Sequence, residues 1–77
     1  MPRAYVLFNV SSGLEDEVGK DARSIEGVQE VHVSYGVYDL VVKVKADSME
    51  KLKDLVTHRL RTINNVRSTL TLIIVEE

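Results

Sequence analysis

Cysteine is absent from this 77-residue chain, so neither a disulfide nor a thiolate metal site can staple it. A cationic cluster is missing as well. Lys and Arg are scattered and the formal net charge is −2, which argues against the basic footprint of a nucleic-acid reader. No apolar run approaches the ~20 residues that span a bilayer, and no signal-peptide pattern opens the chain. The expectation is a soluble cytoplasmic protein with no membrane partner and no direct contact with nucleic acid. The four glycines are isolated, so there is no glycine-rich phosphate loop. His32 and His58 fall in different elements, with no paired acidic motif at metal-ligand spacing. Ser11 and Ser12 have no base placed to activate them. These absences predict a protein that is not an enzyme and takes neither metal nor cofactor.

What is present centres on residues 35–44, where Gly36, Tyr35, Tyr38 and Asp39 crowd together ahead of an alternating run. Leu40, Val42 and Val44 set one buried strand face, and Gly36 suits a tight hairpin. Before it, residues 3–10 are almost wholly apolar, as a central strand would be. Leu14, Val18, Ala22 and Ile25 then repeat at helical spacing, with Glu15, Asp16 and Glu17 in the first turn and Gly27 at the end. Residues 28–34 follow as an edge strand, with Val31 and Val33 inward and Glu30, His32 and Ser34 outward. After the strand at 39–45, Asp47 or Ser48 caps a second helix carrying Met49, Leu52, Leu55, Val56, Leu60 and Ile63. Asn64 and Asn65 stop it, and residues 66–75 form the last strand.

The order is strand, helix, strand, strand, helix, strand, and the corner Ile25-Glu26-Gly27-Val28 is echoed by Ile63-Asn64-Asn65-Val66. Two βαβ units in tandem predict an α+β, ferredoxin-like fold for the single domain 1–77. Right-handed crossovers place both helices on one face of a four-stranded antiparallel sheet, with the first and third strands central. The opposite face should be polar in a monomer, yet both parities of the last strand are apolar. Leu70, Leu72 and Ile74 lie on one, and Thr69, Thr71, Ile73 and Val75 on the other. A chain this short hides only roughly 60% of its unfolded surface, so association is a natural source of added stability. A homodimer through the open face is expected, with Tyr5, Leu7, Val41, Ile73 and Val75 as its interface.

Three stretches together carry a resemblance: Ala4-Tyr5-Val6-Leu7, Gly36-Val37-Tyr38-Asp39-Leu40, and Val66-Arg67-Ser68-Thr69-Leu70-Thr71-Leu72-Ile73-Ile74-Val75. They resemble the RAM, or effector-binding, domain of the Lrp/AsnC leucine-responsive regulators, over essentially the whole chain. The resemblance implies an amino-acid-binding, oligomerising module without the helix-turn-helix of full-length members. It also implies dimers that assemble further, as far as octamers, co-assembly with full-length relatives, and effectors held between dimers.

An amino acid needs an acceptor for its ammonium and donors for its carboxylate. Asp39 can accept; the backbone near Gly36 and the hydroxyls of Thr69 and Thr71 can donate. The expected ligand set is Tyr35, Gly36, Val37, Tyr38, Asp39, Thr69 and Thr71. With the first strand between them, Asp39 and the threonines stand two strand spacings apart, about 10 Å, which favours a site shared between subunits. Plainer readings stay open. Gly36 serves any hairpin, Asp39 can satisfy its own turn, and threonine suits any strand. The alternative function is a structural homo-oligomeric module that binds no ligand.

Overall fold

The computed structural model describes residues 1–75. Its elements are β1 (Arg3–Val10), α1 (Glu15–Arg23), β2 (Val28–Val33), β3 (Leu40–Lys45), α2 (Met49–Asp54), a π-helical segment (Leu55–Leu60) and β4 (Val66–Ile74). The strands form one antiparallel sheet in the order β2-β3-β1-β4, the ferredoxin-like arrangement that the tandem pattern predicts.

Alternation decides which side of each strand is buried. Ala4, Val6, Phe8 and Val10 of β1, with Leu40, Val42 and Val44 of β3, make one fully covered face. Against it pack Val18 and Ala22 of α1, Leu52 of α2, and Leu55, Val56 and Leu60 of the π segment. Val33, expected inward, is 49% exposed, because it lies at the hairpin end of an edge strand.

The second helix starts as its sequence suggests. Ser48 is the N-cap, its Oγ accepting from the Lys51 N–H at 3.2 Å. Its second half differs from the α-helix expected at that spacing. The Arg61 N–H reaches back five residues to the Val56 carbonyl at 3.0 Å, so the turn widens. The wider turn still puts Leu55, Val56 and Leu60 into the core.

The echoed corners are equivalent in geometry as well as in sequence. Val28 N–H donates to Ile25 O at 3.2 Å, and Val66 N–H to Ile63 O at 3.3 Å. The third residue of each corner has a left-handed backbone, with φ +101° at Gly27 and +74° at Asn65. Gly27 O accepts from Lys45 N–H and Asn65 O from Ser11 N–H, each at 2.9 Å. Only the first corner demands glycine on packing grounds, since a Cβ there would stand 2.9 Å from Leu55 Cδ2 and 3.1 Å from Lys45 O. Gly27→Ala is therefore expected to cost about 1–3 kcal/mol through backbone strain and crowding. The check is a fall in the urea midpoint at unchanged slope.

Candidate functional site

The sheet face away from the helices divides into a polar and an apolar side. Register sets Tyr5 between Lys43 and Leu72, and Leu7 between Val41 and Leu70. Arg3 opposite Ile74 extends the same face. Near β2 this face is polar: Glu30 lies opposite Lys43, and its carboxylate lies 3.1 Å from His32 Nε2 and 3.9 Å from Lys43 Nζ. The hydrogen bond from His32, and then the charge of Lys43, hold the Glu30 carboxyl below its ordinary pKa. Across β1 and β4 the face is apolar, with Tyr5, Leu70 and Leu72 exposed.

This register corrects the expected interface. Tyr5, Leu7 and Val41 do share the open face, but Ile73 pairs with the buried Ala4 and belongs to the helix side. Val75 lies beyond the end of β4, 88% exposed. Leu70, Leu72 and Ile74 take the places given to Ile73 and Val75, because strand parity is fixed by pairing to β1 and both parities of β4 are apolar.

The hairpin at 34–39 is closed by Ser34 N–H donating to Asp39 O at 2.9 Å and Ser34 Oγ–H donating to Tyr38 O at 2.7 Å. Gly36 has φ +127°, and among the described residues, its two chain neighbours aside, no atom comes within 4 Å of where a Cβ would lie. Glycine is required there by the backbone rather than by a close neighbour. Tyr35, 100% exposed, and Val37 project at the tip. Asp39, at the foot of the hairpin, is anchored to β1. Its N–H donates to Phe8 O at 2.8 Å, and its Oδ2 accepts from Val10 N–H at 2.9 Å. Oδ1 has no partner among the described residues.

Asp39 also lines a recess of about 360 Å³ with Asn9, Val10, Arg67 and Ser68, at the rim of the open face. That volume falls within the roughly 300–1,000 Å³ of small-molecule sites. Thr69 and Thr71 do not line it. They pair with Phe8 and Val6 and face the helix side, so the structure separates them from Asp39 by face as well as by strand. Tyr35, Gly36, Val37 and Tyr38 are not part of its lining either. The residues beside Asp39 that sequence reasoning missed are Asn9, Arg67 and Ser68; the one available signal was that Asn9 is the one polar residue of β1 after Arg3.

A larger recess of about 650 Å³ lies at the other end of the sheet, lined by Gly27, Lys45, Lys51, Asp54 and Arg59 among others. Several of its charges already meet neighbours, Lys51 with Asp47 at 3.7 Å and Asp54 with His58 at 2.8 Å. The smaller recess is lined by the Asp39 carboxylate, whose Oδ2 is held by the Val10 N–H.

Comparison with known proteins places these features in a wider group. The family model described as the Lrp/AsnC ligand binding domain matches residues 3–77. An uncharacterised HTH-type transcriptional regulator of Pyrococcus furiosus is 37% identical over 73 residues, 91% of this chain and 49% of that protein. The chain thus spans about half the length of the curated relatives it matches. A hypothetical protein from Pyrococcus horikoshii superposes with a TM-score of 0.92 at 34% identity, covering 100% of this chain and 93% of the other. A transcriptional regulator of Neisseria meningitidis in complex with L-Met shares the fold at 13% identity and a TM-score of 0.86, over 99% of this chain and 51% of that one.

Proposed function

Because the chain belongs to the Lrp/AsnC ligand-binding-domain family, we propose that it is an amino-acid effector domain acting as a homodimer. The family is regulatory rather than enzymatic, and the curated relatives are transcriptional regulators.

The observation that carries the reading is the Asp39 carboxylate. One oxygen is fixed by the Val10 N–H, which orients the group. The other has no partner among the described residues, and Asp39 lines the recess, so the group can receive an ammonium. A charge-assisted contact of that kind is stronger than a neutral one. The Neisseria regulator, which shares this fold over about half of its length, is in complex with L-Met, and this supports an amino acid as the ligand. The partner is a second copy of the chain, whose Tyr5, Leu7, Val41, Leu70, Leu72 and Ile74 cover their counterparts on the open face, since exposed apolar patches of this kind mark interfaces. Assembly into larger rings, and with longer relatives, extends the same proposal.

Thermal unfolding in the presence of each of the twenty amino acids tests the effector role. Ligand binding to the native state raises apparent stability by mass action, about 2.7 kcal/mol at a ligand concentration of 100 times Kd. At least one amino acid is expected to raise the midpoint in a concentration-dependent way. A flat response to all of them overturns the effector role and leaves a purely structural assembly module.

A further inference from the structure

β1 and β4 fall out of step at one place. Asn9 pairs with Ser68, but the next β1 residue, Val10, pairs with Val66. Two steps along β4 oppose one along β1, so Arg67 is the additional residue of a β-bulge. Bulges bend the strand locally and re-aim side chains. Regular alternation from Ser68, on the open face, would send Arg67 to the helix side. With the bulge, Arg67 lines the rim recess together with Asn9, Val10, Ser68 and Asp39. Among the described residues its guanidinium makes no hydrogen bond or ion pair, with Asp39 or any other group. Arg67, with an unengaged guanidinium, and Asp39, with a half-engaged carboxylate, thus line one small cavity, and no ion pair joins them among the described residues.

That is the complement of a zwitterion. We infer that Arg67 anchors the α-carboxylate of an amino acid whose ammonium group rests on Asp39, an assignment that builds on the effector role proposed above. Guanidinium presents paired donors in the geometry a carboxylate accepts. Ser68 supplies a further donor. Its Oγ accepts from Asn9 Nδ2 at 3.1 Å, which leaves the hydroxyl hydrogen free for the ligand. One protomer then provides both poles of recognition, where the sequence alone favours a site divided between subunits.

The test is calorimetric titration of the whole chain with each of the twenty amino acids, followed by the carboxamide of any that binds, on wild type, R67Q and R67K. Wild type is expected to prefer the free acid by about tenfold or more, the ratio expected when a charge-assisted contact becomes neutral. R67Q should bind acid and carboxamide alike, at the wild-type carboxamide level. R67K should fall between, because ammonium supplies charge without the paired donors. A wild-type preference retained in R67Q overturns the role of Arg67 alone. Equal weakening of acid and carboxamide in R67Q also overturns it, by making the bulge residue a structural support. Absence of binding to wild type defeats the effector role itself, and this assignment with it.

Discussion

Leu72→Glu is expected to leave the chain as an 8.7 kDa monomer at concentrations where the wild type forms the proposed dimer. Leu72 is 47% exposed in the protomer and sits beside Tyr5 on the open face. A carboxylate there stays in water while the protomer is alone, so the fold should tolerate it. In a face-to-face dimer the same carboxylate is buried without a partner. An uncompensated buried charge costs about 3–5 kcal/mol, so the dimer dissociation constant should rise by at least about a hundredfold. Ile73→Glu is the matching control. It places the same charge one residue along, on the helix side of β4, and should leave sedimentation as it is. If Ile73→Glu separates the dimer and Leu72→Glu does not, the dimer does not use the open face.

Asp39 variants are expected to separate ligand recognition from support of the sheet. In Asp39→Asn the side-chain oxygen can still accept from Val10 N–H, so the urea midpoint should change little. The ammonium contact loses its charge. Charge-assisted hydrogen bonds contribute about 1.5–3 kcal/mol against ~1 for neutral ones, so affinity should fall about tenfold. Asp39→Ala removes both functions. It should show at least the same loss of affinity, together with a stability loss of about 1–3 kcal/mol from the unmet N–H at the end of β1. Calorimetry and denaturation on the same samples read the two effects. Unchanged affinity in Asp39→Asn would remove Asp39 from the site and reduce it to a strand-end anchor.

The elements of this fold were legible because each carries its own local signal: an almost wholly apolar run in β1, alternation in β3, a stripe at helical spacing in α1, a serine cap before α2, and a glycine or asparagine at each corner. Features that depend on pairing were not. β4 presents leucine or isoleucine on both parities, so only its register against Tyr5 and Leu7 determines which set meets solvent. The π segment escapes notice because one added residue per turn barely alters the spacing of Leu55, Val56 and Leu60. The proposed site was legible in part. Asp39 stood out as a carboxylate at a strand mouth. The recess residue Arg67 did not, because a bulge is a property of two strands and leaves no mark in either sequence alone.

The two corners have a consequence for cooperativity. The carbonyl of Gly27, in the first βαβ unit, is bonded by Lys45 at the end of β3 in the second. The carbonyl of Asn65, in the second, is bonded by Ser11 just past β1 in the first. Each unit therefore closes the other's corner, and β1, the first unit's opening strand, lies between both strands of the second. Neither unit keeps its full hydrogen bonding when the other is lost, so a partly unfolded species with one intact half has no favourable way to persist. The repeat that makes the sequence look divisible makes the folded chain a single all-or-none unit.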